Sequence, residues 1–125
     1  MGLGSRENKP HRIGFRFALQ GIRYAFAAEW NVKMHVFAFI AITIISVLFQ
    51  ISPFEWMMVF LVSGLVIITE LLNTAVEHLL DYLTPEQHPV VGQIKDVTAG
   101  AVFIAAIVAV AVGFVIFLPK IIALF

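Results

Sequence analysis

In "ELLNTAVEHLLD", residues 70–81, polar groups return at intervals that match the turn of an α-helix. At about 100° per residue, Glu70, Asn73, Thr74, Glu77 and Asp81 fall at roughly 0°, 300°, 40°, 340° and 20°, all on one face. Leu71, Leu72, Val76, Leu79 and Leu80 turn elsewhere. The stretch before it, Trp56 to Thr69, carries no charge. An ionised carboxylate in hydrocarbon costs several kcal/mol, so Glu70 must face a protein interior, find a partner or stay protonated. A submerged carboxyl that meets an alcohol delivered from the lipid side is what a general base needs to take a hydroxyl proton. Glu77 and Asp81 lie nearer the water, where a divalent cation with bound phosphates can reach; Mg²⁺ is commonly held by one or two carboxylates together with phosphate oxygens and waters. The stripe therefore links lipid depth to the aqueous edge. The same residues also read as an ion or proton pathway, or as a polar seam that sets helix register.

The surrounding chain decides where this stripe sits. Of 125 residues, 61% are hydrophobic and 13% charged, and the mean hydropathy is +0.97. That composition describes an all-α integral membrane protein of one domain, residues 1–125. There are no cysteines, so disulfide frameworks and thiolate metal sites are excluded. A net charge of zero makes nucleic acid an unsuitable partner, and neither a Walker A loop nor G-x-G-x-x-G occurs. A hydrocarbon core about 30 Å thick needs roughly 20 helical residues per crossing. Met34 to Phe54 meets that need with only His35 titratable, and Val97 to Leu118 is uncharged. The middle crossing must run from Trp56 past Glu70 to about Val76, which places Glu70 roughly 9 Å inside the boundary. The spans are expected at about 34–52, 55–82 and 95–118.

Ahead of them, Phe15, Leu19, Ile22 and Phe26 oppose Arg12, Arg16 and Arg23, the pattern of a helix lying in the headgroup plane at about 12–30. Residues 1–10 are polar and are expected to fray. Arg6, Lys9, Arg12, Arg16, Arg23, Lys33 and Lys95 lie on one side of the spans, with Lys120 on the other. The N-terminus is therefore expected in the cytoplasm, in a multi-pass protein of a bacterial inner membrane, with no cleaved signal peptide. "QISPF", residues 50–54, is a tight outer turn. In the inner loop, Thr84, Pro85 and Gln87 have the order of an N-cap, N1 residue and capping-box partner. A short helical turn is expected there before Pro89 disrupts it. Ala101, Ala105, Ala109 and Gly113 form a small-residue seam suited to close helix packing in lipid. Three helices shield little polar interior, so a homo-oligomer is expected. Lys95 and Asp96 can serve phosphate and ribose, although alone they read as an interfacial ion pair. Glu29, His78 and His88 are ambiguous by themselves.

"ELLNTAVEHLLD" followed by "IKDVTAGAV" resembles the paired signature of the prokaryotic diacylglycerol kinase family, whose Gram-positive branch acts on undecaprenol. The resemblance extends through "ALQGIRYAFAAEWNVKMH", the short outer turn and "TPEQHP". It implies an ATP-dependent lipid kinase: a homotrimer of three-span protomers, each with a surface helix, whose active sites lie between protomers at the cytoplasmic interface. Glu70 then matches the catalytic base and contacts substrate with Ala99, while Glu29 and Glu77 match the carboxylates for Mg²⁺ on ATP. Phe17, Glu86, Gln87, His88, Lys95 and Asp96 join Glu29 and Glu77 as nucleotide contacts, and Asn73 and Asp81 support the site. Members of the family often carry tyrosine where Phe17 stands, so stacking can persist without a hydroxyl. Arg12 is the candidate for an upstream arginine of the family. The implied reaction converts undecaprenol to undecaprenyl phosphate, with diacylglycerol to phosphatidic acid as the alternative. A small ion or proton transporter is the alternative of another class.

Overall fold

The computed structural model describes residues 14–125, all of whose regular structure is helical: α1 Phe15–Ala28, α2 Trp30–Leu48, α3 Pro53–Leu83 and α4 Pro89–Ile122. Arg12, the expected start of the surface helix and the polar segment 1–10 lie outside the described residues. Three helices, α2, α3 and α4, are long and apolar enough to cross a membrane. Their outward faces are apolar, with Phe37, Leu61, Leu72, Phe103 and Val115 exposed. Such faces suit hydrocarbon and not water, so the chain is a membrane protein.

Helix lengths differ in a way that matters. At about 1.5 Å per residue, α2 spans roughly 28 Å, whereas α3 and α4 reach about 46 and 51 Å, well beyond a core about 30 Å thick. Only Glu29 separates α1 from α2. Its backbone is extended, with φ −116° and ψ 121°, yet its N–H still donates to the Ala25 carbonyl at 2.9 Å. The chain thus bends at a single residue without losing the last hydrogen bond of α1. On α1, Phe15, Leu19 and Ile22 are exposed and Ala25 is buried.

At the opposite end, α2 closes through Gln50, which takes the left-handed φ of 49°. The Ile51 N–H reaches the Ser46 carbonyl at 3.3 Å and the Gln50 N–H reaches Val47 at 3.1 Å, the bonding of a Schellman cap, and Ile51 is buried beneath it. Pro53 then opens α3. Ser52 and Glu55 form a capping box, with Glu55 N–H to Ser52 Oγ at 3.1 Å and Ser52 N–H to Glu55 Oε1 at 2.9 Å. The second oxygen of Glu55 holds Lys120 Nζ of α4 at 2.7 Å. Around this tie Ile51, Val59, Ile116 and Phe117 form an apolar cluster. Glu55→Ala, which loses both cap and tie, is expected to lower the thermal midpoint in micelles more than Lys120→Met, which loses the tie alone. Glu55→Gln, which keeps an acceptor for the cap, should match Lys120→Met. An equal loss for Ala and Gln at position 55 would deny the cap a role.

The α3–α4 loop departs from expectation. Thr84 is the C-cap of α3, its N–H bonded to Leu80 at 2.8 Å, and no helical turn forms from Thr84 to Gln87. Pro89 opens α4 instead of disrupting a helix, six residues before the expected start of the third span. The reason is local. Proline has no N–H to waste at the first helical position and its φ is already helical, while His88 Nδ1 accepts the Val90 N–H at 3.1 Å. In the small-residue seam, Ala105 is buried, whereas Ala109 and Gly113 line an open groove and Ala101 is exposed.

Candidate active site

The polar stripe of α3 is graded in burial. Glu70, Asn73 and Thr74 are 4%, 7% and 5% exposed, Glu77 is half-buried, and Asp81 is open to solvent. The gradient follows from packing, because α1 and α2 cover α3 over Glu70 and Thr74 but α3 outruns them toward its C-terminus. Glu70 Oε2 lies 3.8 Å from His35 Nε2 of α2, and the Asn31 side chain is a hydrogen-bonding neighbour. Asn31 and His35 are four residues apart, so they share a face of α2. Glu77 and Glu29 are close enough for their charges to act on Glu70.

Glu77 accepts a 3.4 Å hydrogen bond from Asn73 Nδ2, one turn earlier. The other side of that amide is unusual: Asn73 Oδ1 is buried with no hydrogen-bond partner among the described residues. Buried acceptors are nearly always satisfied, so this oxygen beside Glu77 suits a ligand or its water. Glu29, at the α1–α2 bend, sits 2.8 Å from His78 Nε2, and His78 Nδ1 is 3.3 Å from the Tyr24 hydroxyl. No cluster of three or more His, Cys, Asp or Glu able to hold a metal occurs among the described residues. Glu29, Glu77 and the orphaned amide oxygen nonetheless have the oxygen chemistry that Mg²⁺ takes when it arrives with nucleotide phosphates, since that ion keeps further ligands from phosphate and water.

Lys95 Nζ of α4 bonds Asp81 Oδ1 at 2.6 Å, bridging the two long helices beyond the buried part of the stripe. Beside this pair Glu86, Gln87, His88 and Gly92 line a cleft of about 530 Å³. Phe17 lies elsewhere, in a cleft between α1 and α3 lined also by Tyr24, Thr74 and His78. The two clefts share no lining residue, so one chain does not gather Phe17 with Glu86, Gln87, His88 and Lys95. Asp96 and Ala99 are exposed on α4 and line neither cleft. On the apolar side, a groove of about 400 Å³ runs from His35, the partner of Glu70, past Phe39, Val66 and Ala109 to Phe117.

Sequence reasoning missed Asn31 and His35 as neighbours of Glu70. Their i, i+4 spacing at the start of an apolar helix was the available signal. The Tyr24–His78–Glu29 chain had no such signal, because its two contacts join residues 54 and 49 positions apart.

The model of the family described as prokaryotic diacylglycerol kinase matches residues 16–117. The chain is 40% identical over 121 residues to the undecaprenol kinase of Bacillus subtilis (strain 168), covering 91% of this chain and 98% of that protein. It is 38% identical over 113 residues to a diacylglycerol kinase of Synechocystis sp., covering 90% of this chain and 65% of that one. With the diacylglycerol kinase of Escherichia coli (strain K12) it shares 30% identity over 94 residues, 75% of this chain and 77% of the relative.

Proposed function

Because the chain belongs to the prokaryotic diacylglycerol kinase family, and is therefore a lipid kinase that uses ATP, we propose that its acceptor is undecaprenol and its product undecaprenyl phosphate. The observation that carries this mechanism is the gradient on α3: a buried Glu70, a half-buried Glu77 and an exposed Asp81 on one helical face. The choice of undecaprenol rests on the 40% identity to the Bacillus enzyme across 98% of its length. Diacylglycerol, to give phosphatidic acid, is the second reading, favoured by the names of the Synechocystis and Escherichia relatives.

In this mechanism Glu70 takes the proton of the lipid hydroxyl as its oxygen attacks the γ-phosphorus. The bond from that phosphorus to the β–γ bridging oxygen breaks, and ADP leaves. His35 and Asn31 orient the Glu70 carboxyl from α2, and the apolar groove that begins at His35 takes hydrocarbon from the acceptor. Glu29 and Glu77 would hold Mg²⁺ with the nucleotide, and the ion would supply neutralisation of phosphate charge. Lys95 adds positive charge at the phosphates and is kept on station by Asp81. Asn73 steadies Glu77. Glu86, Gln87, His88 and Asp96 contact the nucleotide, Phe17 stacks on its base, and Ala99 borders the lipid.

Residues 1–125 form one kinase domain in a bacterial inner membrane, with the N-terminus and the α3–α4 loop in the cytoplasm. Arg16, Arg23, Lys33 and Lys95 on that side against Lys120 on the other support this orientation. The exposed Phe15, Leu19 and Ile22 suit α1 to the headgroup plane. The protein works as a homotrimer, a reading supported by the two clefts that share no residue, since a neighbouring protomer can bring Phe17 of one chain to the loop of another.

The test is transfer of labelled γ-phosphate from ATP to undecaprenol or diacylglycerol in mixed micelles with Mg²⁺. Undecaprenol is expected to exceed diacylglycerol in kcat/KM by at least about tenfold, or about 1.4 kcal/mol of transition-state discrimination. Equal rates, or a preference for diacylglycerol, would overturn the choice of acceptor. Ion flux across vesicles with neither lipid labelled would replace the kinase by a transporter.

A further inference from the structure

We propose that His78, steadied by Tyr24, is a positioning residue that fixes the carboxylate of Glu29 for the metal–nucleotide complex. The proposal rests on the reading of Glu29 as a metal carboxylate. Glu29 has a placement problem that Glu77 does not. Glu77 stands inside a long helix with an amide one turn away, whereas Glu29 is the one extended residue between two helices, half-buried and without a partner from its own segment other than backbone. A carboxylate at such a bend has several rotamers open to it, and each is a different position for the ion.

The structure supplies the missing restraint from across the fold. His78 follows Glu77 directly on α3, and its Nε2 lies 2.8 Å from Glu29 Oε1. On its far side, Nδ1 is 3.3 Å from the Tyr24 hydroxyl, and the two rings meet edge to face with centroids 5.8 Å apart at 86°. The two contacts grip the imidazole from opposite edges. The carboxylate can only accept, so Nε2–H donates to Glu29, while the Tyr24 hydroxyl pairs with Nδ1. Tyr24 thereby braces the ring, and His78 passes that placement to Glu29 as a fixed orientation. One oxygen of Glu29 is held by the imidazole, which leaves the other as the acceptor for a cation. Because His78 and Glu77 are adjacent in sequence, the same turn of α3 that carries one metal carboxylate sets the position of the other. Outer partners of this kind typically alter metal affinity by about 10- to 100-fold when removed.

The experiment measures binding of Mn²⁺ with a non-hydrolysable ATP analogue to the full chain in mixed micelles by electron paramagnetic resonance, beside steady-state kinetics. His78→Ala is expected to weaken Mn²⁺–nucleotide binding about tenfold and to raise KM for the nucleotide alike, with kcat at saturating nucleotide within about threefold. His78→Gln, which presents an N–H near the position of Nε2, should recover most of the affinity, and Tyr24→Phe should give a loss smaller than His78→Ala. In a Glu29→Gln background, His78→Ala should add less than about twofold, because its target is already gone. Thermal midpoints within a few degrees of the parent identify folded variants, and the Gln variant carries the test if Ala fails to fold. If His78→Ala binds as the parent does while Glu29→Gln binds weakly, the positioning role is overturned and the metal reading stands. If His78→Gln is as weak as His78→Ala, the donated hydrogen bond is not the cause and the proposal also fails. If Glu29→Gln itself binds normally, Glu29 is not a metal carboxylate, and both fall together.

Discussion

Glu70→Gln is expected to lower kcat for labelling of the lipid by about 10²- to 10⁴-fold, the usual contribution of a positioned general base. Nucleotide binding should stay within about threefold, because Glu70 is assigned to the acceptor and not to phosphate. Glutamine fills the same volume and can still meet Asn31 and His35, so the loss reports the missing carboxylate and not a cavity. The measurement pairs phosphate transfer in mixed micelles with Mn²⁺–nucleotide binding. Comparable transfer by the variant and the parent would remove Glu70 from the chemistry and leave its burial as a structural feature.

The second large effect concerns Glu29 and Glu77. Each change to Gln is expected to reduce kcat/KM for MgATP by about 10²-fold or more, and the double variant should lose far less than the product of the two. Two carboxylates that share one ion, as proposed for this pair, fail together, since removal of either already disrupts the site. Chelation of divalent cations should abolish turnover in the parent and restoration of Mg²⁺ should return it. Turnover that survives chelation would refute the metal role of both. Fully multiplicative losses would instead assign the two carboxylates to separate tasks.

Much of the architecture was legible in the residues because lipid imposes so few solutions. Apolar runs near Met34, Trp56 and Val97 had to be helices, since no water is present to satisfy open backbone. The stripe on α3 followed from angular spacing alone, whereas its burial gradient comes from the packing of α1 and α2, which spacing within α3 does not reveal. The motifs around Glu70 and Lys95 pointed to the family that the chain belongs to. What failed did so for local or nonlocal reasons. Pro89 reads as a breaker in the sequence, although a proline preceded by a side chain able to cap is better used as a first residue, as His88 demonstrates. The neighbours of Glu29 were illegible for another reason. They arise where α1 folds against α3, and periodicity within one helix carries no information about which side chains of another will meet it.

The bend at Glu29 makes α1 a lever with a one-residue fulcrum. Phe17 lies twelve residues from that point, about 18 Å along the helix, so a swing of about 10° carries it roughly 3 Å. Glu29, at the pivot, scarcely moves. A ring at the tip of such an arm can travel while the carboxylate at its root keeps its address, so under the proposed roles of Phe17 and Glu29 capture of the nucleotide ring and alignment of its phosphates are mechanically separable.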